Sequence, residues 1–557
     1  MRSKPTFGRS SVRALVMILL TGLIASFLSI APGVASGAQT STAIRVPHPT
    51  WNPCHRDFQC ARVWVPLDYD HPDGDQISLA LVKLPASNPA LKIGSIFLNP
   101  GGPGGSGVDE VLYAGHELFS PRVRARFDLV GFDPRGIMRS TPLRCFDTID
   151  EAFQSQAPMA FPLTAHDERI WNHADHTLAD ACATHGGPIM DHMSTADVAR
   201  DMDLLRQAVG DAQLTYYGVS YGTYLGQMYA NLFPDKVRAL AIDGVLDPVA
   251  WSTGRGNEAR RVPFSTRLFS NQGAYATLNQ FLGLCNQGGD NCSFSDGNPR
   301  KRYTRLAARL RAHPLHLPDG EGGTYPFTYA DLIGGTLGAL YDPSSWPYLA
   351  DAIQEVDTMA DPTAAAASVH ALRVVLGATQ ENYPNFVEGF PGVGCSDSDN
   401  PANVGAWHSA GAAADRAHPY FGRPWNWVSS VCGSWPGTAP DRYMGPFTAR
   451  TSNPVLVIGN RFDPATRYQG AVTASKLLPR SRLLTLDGWG HTSLFESSCI
   501  DGYLNAYLLT LALPPRGTVC QPNVVPFAQP TQFARTAAAP SARSIVIPPF
   551  IRRLIHG

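Results

Sequence analysis

Leu214-Thr215-Tyr216-Tyr217-Gly218-Val219-Ser220-Tyr221-Gly222-Thr223-Tyr224-Leu225-Gly226 sets a serine between two glycines, after a short β-forming run and ahead of a helical pattern. The stretch reads as a strand that turns sharply into a helix with Ser220 at the bend. Such a bend strains the serine backbone, and a Cβ two residues to either side would collide with neighbouring main chain. Gly218 and Gly222 are therefore there for geometric reasons. A serine held in this way projects its hydroxyl from the end of a sheet, where it can serve as a nucleophile.

The flanks extend the pattern. Apolar or β-branched runs at 62–66, 77–84, 95–99 and 127–132, separated by Asp, Gly and Pro turns, predict strands. Residues 194–209 switch to helical period through Val198, Met202, Leu205 and Val209, with Ser194 and Asp197 placed like a capping box. After the bend, Tyr224, Leu225, Met228, Tyr229 and Leu232 define a buried helix face that Pro234 ends. A short apolar strand follows at 237–242. Strands alternating with helices imply a mostly parallel sheet with helices on both faces. The alternation fades after 248 and resumes at the apolar run 454–459, with a helix at 468–478 and a strand at 482–486. Residues 249–445 are thus expected to form a large, mainly helical cap inserted before the acid-bearing strand, between sheet-domain segments 39–248 and 446–513. Residues 514–557 are a Pro/Ala-rich tail.

A serine hydroxyl needs a base to take its proton and a third group to orient that base. Asp463 follows the 454–459 strand in Gly459-Asn460-Arg461-Phe462-Asp463-Pro464, and His491 follows the next strand in Asp487-Gly488-Trp489-Gly490-His491-Thr492. The order Ser, Asp, His is the usual one for this bend. Asp243, which also follows a strand, is the rival acid. Ser106 lacks the closing glycine, and His173 with His176 makes only a weak HxxH. The oxyanion formed during acyl transfer needs N–H donors. Tyr221, first in its helix, can supply one, and the loop Asn99-Pro100-Gly101-Gly102-Pro103-Gly104-Gly105-Ser106-Gly107 the other, from Gly101 or Gly102. A phosphate-cradling loop is the alternative, but the Lys-Ser/Thr ending is missing.

The whole chain has 557 residues, 44% hydrophobic and 16% charged, with 45 basic against 46 acidic residues and a formal net charge of −1. No global field favours nucleic acid or an anionic membrane, and the basic helix around Arg300, Lys301 and Arg302 reads as a solvated face. Arg2, Lys4, Arg9 and Arg13, then an apolar run and small residues at 35–38, read as a secretory signal peptide over 1–38; an uncleaved anchor is the alternative. Ten cysteines, all beyond residue 53, suggest disulfides in an exported chain. Sequence does not fix their connectivity, and neighbour pairing is the simplest arrangement. Their spacing matches no zinc or redox motif, so neither metal nor cofactor is expected.

The Gly101-Gly102-Pro103-Gly104-Gly105 loop, Asp133-Pro134-Arg135-Gly136, the Ser220 bend followed by Gly244-Val245-Leu246-Asp247-Pro248, and the Asp463 and His491 loops together resemble the secreted tripeptidyl aminopeptidases of actinobacteria. These are α/β-hydrolase serine peptidases similar to proline iminopeptidases. The resemblance covers about residues 50–510. It implies an α/β-hydrolase fold, a triad of Ser220, Asp463 and His491, oxyanion donors at Tyr221 and a glycine of the 101–102 pair, and release of short peptides, most often tripeptides, from peptide or protein N-termini. The signal peptide implies a secreted or cell-wall location. Met138, where that family usually carries glycine, and Asp463-Pro464-Ala465-Thr466-Arg467, which lacks its Thr-Pro, are departures. An N-terminal exopeptidase must bind an ammonium, and Asp397 in Cys395-Ser396-Asp397 is the candidate partner, with a solvated loop acid as the alternative. The same triad would also suit an exported carboxylesterase or lipase, or be carried by a catalytically silent binding protein.

Overall fold

The computed structural model describes residues 44–319, 322–376 and 385–528. The expected signal peptide at 1–38 and the tail beyond 528 lie outside them. The strands are β1 (Asn52–Cys54), β2 (Phe58–Pro66), β3 (Gln76–Leu84), β4 (Gly94–Asn99), β5 (Phe127–Phe132), β6 (Leu214–Val219), β7 (Val237–Asp243), β8 (Leu315–Pro318), β9 (Thr324–Phe327), β10 (Val455–Phe462), β11 (Ser481–Trp489) and β12 (Val519–Cys520). Ten of them form one sheet in the order β1-β2-β3-β5-β4-β6-β7-β10-β11-β12. Pairings from β1 to β5 are antiparallel, and those from β5 through β4 to β12 are parallel.

Period-two alternation explains why the sheet is covered on both sides. In β10, Val455 and Val457 pack into one apolar cluster while Leu456 and Ile458 pack into another. The first cluster takes in residues of helices Thr195–Ala208, Tyr221–Leu232 and Gln469–Leu477. The second takes in residues of Gly107–Ala114 and Ser498–Thr510. Ser194 caps its helix by accepting the Asp197 N–H at 3.1 Å and donating to the Asp197 carboxylate at 2.8 Å. The reciprocal link thus runs between the two side chains.

Between β7 and β10 the chain forms mostly helices and the β8–β9 hairpin, with a core of its own that includes Leu278, Phe281, Leu306, Leu337, Trp346 and Trp407. Phe161 and Trp171 join that core from a segment that precedes β6. Trp171, on helix Ala165–His185, donates its indole N–H to Ser430 Oγ at 2.9 Å. The helical layer is therefore assembled from two stretches of chain. At the other end, β12 adds an edge strand to β11, so the sheet reaches past residue 513. Five disulfides join neighbouring cysteines: Cys54–Cys60, Cys145–Cys182, Cys285–Cys292, Cys395–Cys432 and Cys499–Cys520. Among the described residues, no helix is long and apolar enough to cross a membrane.

Candidate active site

Ser220 sits at the turn between β6 and helix Tyr221–Leu232 with φ 55° and ψ −124°. Its N–H donates to Asp243 O at 3.0 Å, which ties the bend to the end of β7. A Cβ on Gly222 would lie 2.6 Å from Asn99 O, and one on Gly218 would lie 2.6 Å from Gly222 O. Both contacts are shorter than carbon and oxygen tolerate, so the strained serine survives only between glycines.

The loops after β10 and β11 meet beside it. His491 Nδ1 lies 3.0 Å from each carboxylate oxygen of Asp463. Asp463 Oδ1 also accepts the N–H groups of Ala465 and Thr466 at 2.8 and 2.7 Å, and Oδ2 accepts the Thr466 hydroxyl at 2.8 Å. With these donors on its oxygens the buried carboxylate faces the imidazole as an acceptor, so Nδ1 is the nitrogen that donates and Nε2 the one left to accept. His491 Nε2 is buried and has no hydrogen-bond partner among the described residues. Ser220 Oγ is not bonded to it here; such contacts are often long before substrate binds. Both residues abut the same turn, since a Cβ on Gly244 would approach His491 Cε1 to 3.3 Å while the preceding carbonyl holds Ser220.

The rival acid faces elsewhere. Asp243 accepts from Ser493 N and Oγ at 2.9 and 2.8 Å and from the Tyr217 hydroxyl at 3.1 Å, and burial pushes its carboxyl up to about 6. Ser106 caps helix Gly107–Ala114 and donates to Asp133. In the glycine loop, Gly101 packs directly on the bend: a Cβ there would lie 2.8 Å from Ser220 Cβ. Its N–H donates to Asn99 Oδ1 at 3.0 Å. Of the 101–102 pair, Gly102 is thus the one whose N–H is left for a ligand. Tyr221 opens its helix, where the N–H has no intrahelical acceptor and the helix dipole favours negative charge.

Three residues of the inserted layer reach these loops. Tyr341 O accepts the His491 N–H at 2.8 Å, and the Tyr341 ring stands edge-on to the imidazole at 4.9 Å between centroids. Asn385 accepts from Met138 N at 2.8 Å and donates to Gly136 O at 2.7 Å. Met138 has φ 48°, a left-handed backbone that accounts for glycine being usual there. Asp397 is buried. Its carboxylate accepts Thr195 N at 2.7 Å, the Thr195 hydroxyl at 2.6 Å and the Trp251 indole at 3.4 Å. Burial pushes its carboxyl up to about 7. An ammonium bound by Asp397 would have to share a buried carboxylate with these three donors. Tyr341 and Asn385 had no sequence signal, because both act across long separations. Thr466 had one, as a hydroxyl three residues past the acid. Asp68, His192 and Asp441 offer ligand atoms within 4.8 Å of one another, but Asp68 is already bonded to Asp70 N–H and His71.

Parallel strands whose carboxyl-end loops gather a bent serine, a buried imidazole and its carboxylate make up the α/β-hydrolase fold, and the chain is a serine hydrolase. Residues 94–296 match the alpha/beta hydrolase fold family and residues 418–520 the TAP-like protein family. The chain belongs to this TAP-like family of α/β-hydrolases. It is 32% identical over 493 residues to the serine protease Hip1 of Mycobacterium tuberculosis, covering 84% of this chain and 90% of that one. It is 32% identical over 506 residues to the tripeptidyl aminopeptidase of Streptomyces coelicolor, covering 86% of each. It is also 33% identical over 507 residues to carboxylesterase B of Mycobacterium tuberculosis, covering 87% and 92%.

Proposed function

We propose that this chain is an exported serine exopeptidase that releases short peptides, tripeptides foremost, from substrate N-termini. The observation that carries the chemistry is the His491–Asp463 pair at 3.0 Å with a buried, unpartnered Nε2 beside the Ser220 bend. His491 Nε2 takes the Ser220 proton as Oγ attacks the peptide carbonyl. The carbonyl electrons move onto oxygen, and the N–H groups of Tyr221 and Gly102 receive that charge. Collapse of the tetrahedral intermediate breaks the C–N bond, and His491 delivers its proton to the leaving amine. Water, deprotonated by the same nitrogen, then attacks the acyl-enzyme and frees the N-terminal peptide and Ser220. No step calls for a cofactor. The likeness to a tripeptidyl aminopeptidase supports the substrate class, and five disulfides together with the N-terminal charge and hydropathy pattern support export.

Likeness to carboxylesterase B favours a second reading, in which the same residues hydrolyse acyl esters. Turnover of a free-amine tripeptide anilide, its N-acetylated form and a short acyl ester separates the two. The exopeptidase reading predicts turnover of the free-amine anilide and at least a ~10-fold loss on acetylation, the scale of one lost charge-assisted contact. Equal turnover of both anilides, with the ester hydrolysed faster, would replace it with the esterase reading.

A further inference from the structure

The residue after the nucleophile is held at both ends. Its main chain opens the helix behind Ser220, and its side chain enters a closed polar chain. The Tyr221 hydroxyl lies 2.5 Å from Thr195 Oγ1, whose own hydroxyl donates to Asp397 at 2.6 Å. The Thr195 N–H donates to the other Asp397 oxygen at 2.7 Å. Thr195 and Asp397 are both buried, and Tyr221 is flanked by Trp251 at 5.7 Å between ring centroids. Asp397 itself closes helix Phe386–Asp397 of the inserted layer, two residues from Cys395, which is bridged to Cys432.

Chemistry fixes the direction of this chain. While Asp397 is ionised it can only accept, so Thr195 donates to it and the remaining hydrogen bond runs from the Tyr221 hydroxyl to Thr195 Oγ1. A neutral hydroxyl or amide at 397 would leave that direction open. Burial, with a smaller push from Asp197, raises the Asp397 carboxyl toward neutrality, and the phenols of Tyr221 and Tyr224 are the other titratable groups near it.

We propose that Asp397 is a positioning residue by which the inserted layer sets the Tyr221 N–H that receives the oxyanion, acting through Thr195 and the Tyr221 hydroxyl. The inference rests on the serine-hydrolase chemistry above but not on the choice between peptide and ester. Tyr221 is the first residue of its helix and its ring is packed against Trp251, so a restraint on its phenol bears on the turn that carries the N–H. A donor misplaced by a few tenths of an ångström costs in the transition state and little in the ground state.

The test is the second-order rate constant for phosphonylation of the full chain by a fluorophosphonate, which builds charge on the same oxygen whatever the natural substrate. Asp397→Asn keeps the shape but can hand a proton to Thr195. Thr195→Val cuts the chain in the middle, and Tyr221→Phe cuts it at the far end. Each is expected to slow phosphonylation about 10-fold, short of the ~10²–10³ for outright loss of an oxyanion donor. Pairs of them are expected to be no slower than either single, because all act through one link. On an acyl ester, kcat should fall with KM within about 2-fold. Wild-type rates in Thr195→Val and Tyr221→Phe would overturn the inference, whatever Asp397→Asn does to folding. So would multiplying effects in the pairs, or a loss confined to KM. Failure of the wild-type chain to label at Ser220 would overturn the catalytic reading itself, a result distinct from normal labelling that the three substitutions leave unchanged.

Discussion

The loops at the end of the sheet and the inserted helical layer above them build the same site by different means. At the sheet, Ser220 and Asp463 are set by their immediate neighbours in sequence, and His491 by its own loop together with the inserted layer. Ser220 is strained between Gly218 and Gly222, and Asp463 is gripped by the N–H groups two and three residues on. His491 follows a glycine with φ 92°, packed so closely that a Cβ would meet Pro343 at 2.7 Å. The inserted layer contributes through contacts across long separations: Tyr341 and Pro343 on the His491 loop, Asn385 on Met138 and Gly136, Asp397 on Thr195. Chemistry is encoded locally, and its alignment is encoded across the interface. Damage to the first should therefore abolish activity, while damage to the second should reduce it.

The largest effect should come from the acid. Asp463→Asn leaves packing intact but lets the imidazole adopt the wrong tautomer, and kcat should drop about 10⁴-fold. Asp243→Asn, which alters a carboxylate bonded to Ser493 and Tyr217, should cost no more than about 10-fold, the scale of an indirect packing change. Steady-state kinetics on one substrate compares them. Equal losses would erase the distinction between the two acids and blur the claim that the sheet loops alone hold the reacting groups.

On the inserted side, Tyr341→Ala removes the ring that stands against the imidazole and leaves a cavity. Unfolding free energy should fall by about 3–5 kcal/mol, and kcat by about 10-fold through a looser histidine. Tyr341→Phe should do neither. The Tyr341 hydroxyl is buried without a hydrogen-bond partner among the described residues, so its removal should leave kcat unchanged and Tm equal or higher. Denaturant titration with parallel kinetics checks both. A 10⁴-fold loss in Tyr341→Ala with unchanged stability would place the layer within the chemistry and collapse the comparison.

This division also explains what could be read without coordinates. The bend, the acid loop and the histidine loop were legible because glycines and strand ends announce them within a few residues. The order Ser220, Asp463, His491 then matched one known arrangement. The sequence offers both Asp463 and Asp243 at strand ends, and the 3.0 Å contacts with His491 belong to Asp463. Asp397 was legible as an acid two residues past a cysteine, but its burial against Thr195 and Trp251, 202 and 146 residues away, was not. Trp171 likewise gave no hint that the segment before β6 would pack into the inserted layer, since its partner Ser430 lies 259 residues on. Period and turn chemistry report local structure; contacts of that span leave no mark in a single sequence.

The central claim is that the sheet loops activate one particular serine. Peptide mapping by mass spectrometry after reaction with a fluorophosphonate tests it most directly. The account predicts a single adduct on the peptide containing Ser220, absent in His491→Ala at the same exposure. An adduct on Ser106 or any other serine, or undiminished labelling of Ser220 without His491, would contradict it.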